Sequence, residues 1–183
     1  MRVVGGVAKG KKLQGAVSRR VRPTTELVRG AIFNILREDD VRGARVLELF
    51  AGTGALGIEA LSRGASWVDF VDNDWRQCTV IKNNLSSTGF SNKAQAHCKD
   101  VNRAMDSLTG PYDVILMDPP YELKNLGGFL KGLEQTSLYG MDTTLVVGHS
   151  KRQPLDSSYG RLVNFSGRRY GDSRVDFYCV ENK

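Results

Sequence analysis

From residue 44 to residue 147, short apolar runs alternate with longer segments in which apolar residues recur every three or four positions. The short runs predict strands and the longer segments predict helices. The predicted strands are residues 46–50, 67–71, 94–98, 112–117 and 143–147. The predicted helices between them are residues 56–63, 74–88, 101–108 and 126–133. Strands that alternate with helices in this way form a parallel sheet, and open sheets of this kind bind ligands beyond the carboxyl ends of their strands.

The last part of the chain has a different pattern. Residues 161–165 and 174–180 read as two strands joined by a turn rather than by a helix, and the second alternates apolar and polar positions as a half-exposed strand does. The sequence therefore predicts an α/β fold with a seven-stranded, mostly parallel sheet that ends in an antiparallel last strand.

The first 22 residues form a basic and glycine-rich extension. Two extended stretches at residues 2–5 and 12–16, with glycines between them, predict a small hairpin, although a frayed terminus has a similar composition. Seven cations precede the first acid, Glu26, and they are Arg2, Lys9, Lys11, Lys12, Arg19, Arg20 and Arg22. With a net charge of +6, this field fits a polyanion such as RNA. A 183-residue chain suits one globular unit, here an extension at 1–22 and a main domain at 23–183.

The turn after the first strand carries a glycine motif. Gly52, Gly54 and Gly57 form G-x-G-x-x-G between a strand and a helix, and such a turn brings the backbone close to a ligand. Binders of nicotinamide, flavin and S-adenosylmethionine all use loops of this kind, so the motif alone does not choose among them.

Three acids at successive strands discriminate between these cofactors. Glu48 lies within the first strand, Asp72 ends the second, and Asp100 follows the third. Glu48 suits an ammonium group, Asp72 suits ribose hydroxyls and Asp100 suits the adenine amine. Each acid alone also fits a helix cap or a solvated turn. Together they would repel a pyrophosphate but suit a cationic sulfonium, so the sequence predicts S-adenosylmethionine as cofactor.

The fourth predicted strand runs directly into Asp118-Pro119-Pro120-Tyr121. The two prolines fix the backbone and remove two donors, which leaves the Asp118 carboxylate and the Pro119 carbonyl as acceptors. Two acceptors can hold both hydrogens of an exocyclic amine on a base and aim its lone pair at a methyl group. Tyr121 offers a face on which an unstacked base can stack. We predict that these four residues are catalytic, although a structural turn has the same sequence.

With these residues in view, the sequence resembles the RsmD-type family of bacterial 16S ribosomal RNA guanine-N2 methyltransferases. The likeness spans nearly the whole chain, and its segments include the Arg-Pro-Thr-Thr of residues 22–25, the glycine loop, the Asp-Pro-Pro-Tyr motif and the Arg-Tyr-Gly-Asp of residues 169–172. The first-helix residues Leu27 and Gly30 depart from the usual pattern of the family, which puts local contacts of that helix in doubt.

The resemblance implies a class I Rossmann-like methyltransferase fold and a substrate that is a partly assembled small subunit. It also implies that Arg22, Thr24 and Thr25 cover the cofactor and that the basic extension contacts ribosomal RNA. The cofactor-binding residues predicted from motif and resemblance together are Arg22, Thr24, Thr25, Glu48, Phe50, Gly52, Gly54, Asp72, Asp100 and Asp118. The predicted RNA contacts are Arg2, Lys9, Lys11, Lys12, Arg19 and Arg20.

Other functions share part of this pattern. An adenine-N6 methyltransferase uses the same motif and cofactor, a nucleotide-binding oxidoreductase shares the glycine loop, and a silent RNA-binding subunit shares the charge. The three cysteines form no Cys-x-x-Cys pair, so we predict no metal site. No apolar run approaches the ~18 residues of a membrane span. We therefore expect a cytoplasmic monomer without a membrane partner, and the sequence assigns no role to His97 or His149.

Overall fold

The computed structural model describes residues 1–15, 25–123 and 125–181. Its helices are α1 (Glu26–Ile35), α2 (Glu38–Val41), α3 (Ala55–Ser62), α4 (Trp75–Thr88), α5 (Val101–Ser107) and α6 (Leu126–Glu134), with a 3-10 turn at Ser91–Lys93. Its strands are β1 (Arg45–Leu49), β2 (Trp67–Asp72), β3 (Ala94–Cys98), β4 (Tyr112–Met117), β5 (Tyr139–Ser150), β6 (Ser158–Tyr159), β7 (Leu162–Tyr170) and β8 (Ser173–Val180). Among these helices, none is long and apolar enough to cross a membrane.

All eight strands form one sheet in the order β3-β2-β1-β4-β5-β8-β7-β6. β1 to β5 are parallel, and β8 runs antiparallel to both of its neighbours. The α/β fold with its antiparallel last strand is therefore confirmed. The sheet has one strand more than the seven predicted, because the two-residue β6 adds to the edge at β7. Successive strands are added on one side of β1 up to β3 and on its other side from β4 onward. Open sheets of this type bind ligands at the point between β1 and β4 where this order switches.

The strands of the final hairpin are longer than their apolar residues predict. β7 reaches Tyr170 instead of ending at residue 165, because Gly167, Arg168 and Arg169 all pair with β8. Ladder hydrogen bonds, rather than apolar side chains, define this end of the strand, so its polar residues carried no strand signal. Gly171 turns the chain with a φ of 62°.

Each face of the sheet buries its own apolar cluster. One cluster holds Ile32 and Phe33 of α1 together with residues of α3 and α4, and the other holds residues of α5 and α6. β1, β2 and β4 are thus covered on both sides, as their apolar runs require, whereas the edge strand β3 is partly exposed. The carboxyl ends of the strands remain at the rim between the two helical layers.

The basic N-terminal segment packs on α3. A single antiparallel bridge joins Arg2 to Lys12, so the predicted hairpin is reduced to one bridge. The reason is that the backbone N–H groups of Val4 and Gly5 donate to the buried Glu59 carboxylate at 2.8 and 2.7 Å instead of to an opposing strand. The segment therefore depends on α3 for its conformation.

Gly6 tests this packing, because a Cβ at this position would collide with the Ser62 carbonyl and its φ is +73°. We expect Gly6→Ala to lower the free energy of unfolding by about 2–5 kcal/mol, the combined cost of a left-handed residue and of overpacking. Gly10 is the matched control, since its φ is +83° and nothing lies within 4 Å of its Cβ position. Gly10→Ala should cost about 1–2 kcal/mol. Urea unfolding measures both, and equal losses would contradict the packing described.

Candidate active site

The turn between β1 and α3 is shaped by three residues with positive φ. Phe50, Gly52 and Gly54 have φ values of 56°, 55° and 72°. A left-handed phenylalanine is unusual, and such backbone strain concentrates at functional sites. The Phe50 ring lies 5.5 Å from that of Phe129 on α6.

The third glycine of the motif serves helix packing. A Cβ on Gly57 would lie 2.5 Å from Phe70 Cε1 and 2.8 Å from Glu48 Oε2, so only glycine allows α3 to approach β1 and β2 so closely. Gly57 donates its N–H to Glu48 Oε2 at 2.8 Å. This contact joins the first strand to the first turn of α3.

Glu48 is the most deeply buried carboxyl of the site, with 3% of its surface exposed. Burial raises its pKa to about 8, and the nearby Asp118 and Asp72 raise it further, against the opposing hydrogen bonds from Gly57 and Leu56. Glu48 therefore holds a proton at neutral pH, and a cation placed beside it would drive that proton off.

Asp72 ties the glycine loop to the end of β2. Its Oδ2 accepts from the Gly52 N–H at 2.7 Å and its Oδ1 accepts from the Asp74 N–H at 2.9 Å. Burial raises the pKa of Asp72, and the neighbouring Asp74 adds to that effect, while the backbone hydrogen bonds oppose it. Asp74 itself caps α4 by accepting from the Arg76 N–H.

Asp100 is an exposed N-cap. Its Oδ1 accepts from the N–H groups of Asn102 and Arg103 at 3.0 and 3.3 Å and thereby begins α5. Of the two readings that the sequence left open, the geometry displays the cap. Its Oδ2 accepts no hydrogen bond from the described residues, so a role toward an adenine amine stays a prediction.

Asp118 follows the last residue of β4 and lies against Gly148 of β5. A Cβ on Gly148 would be 2.5 Å from Asp118 Oδ1 and 3.0 Å from its Cγ. Gly148 was missed by the motif analysis. A glycine inside a strand often marks the close approach of another group, and that was the available signal.

The other residues of the motif complete the rim. Pro119 is buried, and the Pro120 carbonyl accepts from the Leu123 N–H at 2.9 Å. Tyr121 lies at the surface, with 37% of the residue exposed. Its hydroxyl hydrogen-bonds to Ser173 Oγ at the start of β8. Sequence reasoning missed Ser173 because it is 52 residues away along the chain.

The remaining predicted residues lie on the N-terminal segment, at the start of α1, or outside the described residues. Arg19, Arg20, Arg22 and Thr24 lie outside the described residues. Thr25 caps α1 by accepting from the Val28 N–H at 3.3 Å. The exposed RNA-contact candidates are Arg2, Lys9, Lys11 and Lys12 on the N-terminal segment. Of these, Lys11 donates through Nζ to the Thr88 carbonyl at 3.0 Å, which holds it against α4.

The assembled site is an acid-lined rim with a rigid turn on one side. Glu48, Asp72 and Asp118 belong to three adjacent strands, β1, β2 and β4, and the carboxyls of Asp72 and Asp118 both act electrostatically on Glu48. Such a rim favours a cationic ligand and a substrate that donates N–H groups. Asp118, held against Gly148, supplies an acceptor with a fixed position.

Known proteins resemble this chain over most of its length. A family model described as "Conserved hypothetical protein 95" matches residues 1–179. A Bacillus subtilis protein named "Putative rRNA methyltransferase YlbH" is 35% identical over 182 residues, covering 97% of this chain and 98% of the relative. The Escherichia coli K12 "Ribosomal RNA small subunit methyltransferase D" is 34% identical over 121 residues, covering 66% of this chain and 60% of the relative.

A solved structure gives the same result for the fold. The structure titled "Putative methyltransferase yhhF from Escherichia coli" has a TM-score of 0.88 at 25% identity and covers 100% of this chain and 99% of its own.

The raised pKa of Glu48 predicts a distinctive pH dependence of stability. Below pH 4.5, the ordinary pKa of a glutamate, Glu48 is protonated in both the folded and the unfolded chain and costs nothing. As pH rises from 4.5 to about 8, the unfolded chain ionises while folded Glu48 keeps its proton, so the free energy of unfolding falls. We expect Glu48→Gln, which stays neutral, to be more stable than the native chain at pH 8 and to lose this advantage toward pH 4.5.

Chemical unfolding across this pH range measures the effect. Glu38→Gln on the exposed α2 is the control and should follow the native curve within about 0.5 kcal/mol. Parallel curves for Glu48→Gln and the native chain would show that Glu48 is not the titrating group.

Proposed function

This chain belongs to the protein family described as Conserved hypothetical protein 95, and we propose on that basis that it methylates the exocyclic N2 amine of a guanine in small-subunit (16S) ribosomal RNA, with S-adenosylmethionine as methyl donor. The predicted resemblance to the RsmD-type methyltransferases is confirmed by its relatives. The observation that carries the chemistry is the Asp-Pro-Pro-Tyr turn, whose Asp118 lies against Gly148 at the same rim as the carboxyls of Glu48 and Asp72.

The acid-lined rim fits a cofactor that carries positive charge. S-adenosylmethionine supplies an electrophilic methyl group on a sulfonium. Glu48 would hold the ammonium of its amino acid part, because the ionisation of a buried carboxyl is favoured by an adjacent cation. Asp72 would accept from ribose hydroxyls while it continues to hold Gly52. Phe50, in its strained conformation, presents its backbone and ring at the start of the same loop.

The acceptor side prepares the nitrogen that receives the methyl group. The lone pair of an exocyclic amine is delocalised into the ring, so the nitrogen is a poor nucleophile until its geometry changes. The Asp118 carboxylate and the Pro119 carbonyl would each accept one N–H, which turns the lone pair toward the methyl carbon. Positioning of this kind contributes up to ~7–11 kcal/mol in well-oriented systems. Tyr121 would stack on the base with its hydroxyl held by Ser173.

The RNA partner is supported by the charge of the N-terminal segment. Arg2, Lys9 and Lys12 are exposed, and the segment carrying them is fixed on α3, with Met1 Sδ accepting from Thr53 of the glycine loop at 3.7 Å. Cations held on a rigid support bind phosphates without a large loss of side-chain entropy. The proposed substrate is the RNA of a small ribosomal subunit, and we accordingly propose that the protein acts in the cytoplasm.

The test is methyl transfer from labelled S-adenosylmethionine to small ribosomal subunits that lack the modification, followed by nucleoside analysis of the RNA. We expect the label in N2-methylguanosine. Label in N6-methyladenosine would be consistent with the proposed positioning of an exocyclic amine but would refute guanine as the methylated base. No transfer to subunits or to their purified RNA would refute the proposed function.

Two substitutions separate chemistry from cofactor binding. We expect Asp118→Ala to abolish transfer because one acceptor of the amine is lost, while affinity for S-adenosylhomocysteine stays within a few-fold. Gly148→Ala should lower kcat by about a hundredfold, since the added Cβ displaces the Asp118 carboxylate and misplacement by ~1 Å has that cost.

The matched control is Gly132→Ala, which adds the same methyl group where nothing lies within 4 Å. Its kcat should equal that of the native chain. A collapse of S-adenosylhomocysteine affinity in Asp118→Ala, measured by calorimetry, would show that Asp118 serves the cofactor instead of the amine.

A further inference from the structure

The hairpin formed by β7 and β8 ends beside the catalytic turn. Ser173, the first residue of β8, hydrogen-bonds to the Tyr121 hydroxyl. Strand pairing aligns Gly148 of β5 with Val175 of β8, and Val175 with Arg168 of β7. Since Gly148 contacts Asp118, one row of residues leads from the catalytic carboxylate across the sheet to Arg168. With neighbouring strands ~4.8 Å apart, this row spans about 14 Å.

The next row of paired residues contains an arginine whose side chain is oriented by a buried carboxylate. Arg174 donates through Nε to both carboxylate oxygens of Asp176, at 2.9 and 3.0 Å. Asp176 is only 2% exposed, and its Oδ2 lies 2.8 Å from His149 Nε2. Burial would raise the pKa of Asp176, but the hydrogen bonds from His149 and Arg174 outweigh it and hold the pKa below its ordinary value. Asp176 is therefore an ionised anchor for the Arg174 side chain.

The anchored guanidinium keeps its outer donors. Within the described part of the chain, the hydrogen bonds of the Arg174 side chain all use Nε, and 46% of the side chain is exposed. Gly167 on β7 makes room for it, because a Cβ there would lie 2.6 Å from Arg174 Nη2. A guanidinium that is fixed through Nε and keeps its terminal donors for a ligand suits a phosphate.

A second arginine stands directly opposite. Arg169 of β7 pairs with Arg174 in the antiparallel ladder, and like charges in that position destabilise a sheet. Arg169 is exposed and donates through Nε to the Gly171 carbonyl at 3.1 Å. Arg168, Lys151 and Arg152 add positive charge nearby, and Lys151 is paired with Asp172. Each arginine has a local partner, Asp176 for Arg174 and the Gly171 carbonyl for Arg169, and an anion between the two would offset the repulsion that remains.

We propose that Arg169 and Arg174 bind a backbone phosphate of the RNA and thereby fix the position of the strand that carries the target nucleotide. This inference rests on the proposed function, because it names how the same site holds its RNA. Phosphate contacts fix the register of a nucleic acid without reading its sequence. The pair lies in the row next to that of Gly148, two and three strands from β4, and side-chain alternation turns both arginines toward the sheet face opposite to Asp118. The phosphate that they hold therefore belongs to RNA that crosses the rim of the sheet, and not to the methylated nucleotide. The buried His149–Asp176 pair acts here as the support that orients Arg174.

The experiment measures binding to unmodified small subunits as a function of salt, together with kcat and KM for methyl transfer, in Arg169→Gln. Each lost phosphate contact flattens the slope of log K against log salt by about 1. We expect that change, a higher KM for the subunits, an unchanged kcat at saturation and an unchanged affinity for S-adenosylhomocysteine. The thermal midpoint of the ligand-free variant should equal or exceed that of the native chain, because the opposed charges are relieved.

Two further variants sharpen the result. Arg174→Lys keeps the charge but loses the fixed guanidinium, so the salt slope should persist while KM rises. Lys93→Gln removes an exposed cation beside β3, at the opposite edge of the sheet, and should match the native chain in slope and KM.

The outcomes are distinguishable. An Arg169→Gln variant with the slope and KM of Lys93→Gln would overturn the proposal while native methylation of guanine still stands. A raised KM with an unchanged slope would also overturn it, since the contact would then be to a protein of the subunit. Failure of the native chain to methylate the subunits would refute the proposed function itself, and the phosphate contact with it.

Discussion

The hydrogen bond from the Gly57 N–H to the buried carboxyl of Glu48 is the contact on which the cofactor side of the molecule depends. It requires α3 to approach β1 so closely that no side chain fits at position 57, and this approach shapes the strained turn at Phe50 and Gly52. Asp72 then closes the turn from β2 by accepting the Gly52 N–H. The same burial that makes this packing possible removes Glu48 from water and raises its pKa. The close packing of α3 on β1 therefore determines both the shape of the glycine loop and the raised pKa of Glu48.

Acidic residues at similar positions along the chain make different hydrogen bonds because the backbone around them differs. Asp74 and Asp100 each begin a helix, and their carboxylates accept N–H groups of the first turn. Glu48 and Asp72 lie on strands, so their carboxyls face the rim and accept from the glycine loop and its neighbours. Residue type and spacing suggested one ligand set of three acids. The sequence left a helix cap open as an alternative for each acid, and the structure shows Asp100 in that role at the start of α5.

The parts predicted well from sequence are those in which one local pattern dominates. β1, β2 and β4 are short and largely buried apolar runs, so their places in the chain followed from hydrophobicity, whereas β3 is partly exposed and its signal was weaker. The end of β7 and the reduced N-terminal hairpin were not predicted, because there the partners of the backbone decide the structure. Gly148 and Ser173 were missed for a related reason. Each matters only through a residue far away in the sequence, Asp118 and Tyr121, and strand order alone brings them together.

The antiparallel insertion of β8 between β5 and β7 separates the two tasks of the site. The groups proposed to face the cofactor come from β1 and β2 and the turn between β1 and α3, all within the first half of the chain. Apart from the cations of the N-terminal segment, the groups proposed to face the RNA come from the end of β5 and from the β7–β8 hairpin. They meet only at the Asp118–Tyr121 turn, where Gly148 and Ser173 contact it. Because the hairpin makes no hydrogen bond to the glycine loop within the described residues, its arginines can determine which RNA is held without altering how the methyl donor is bound.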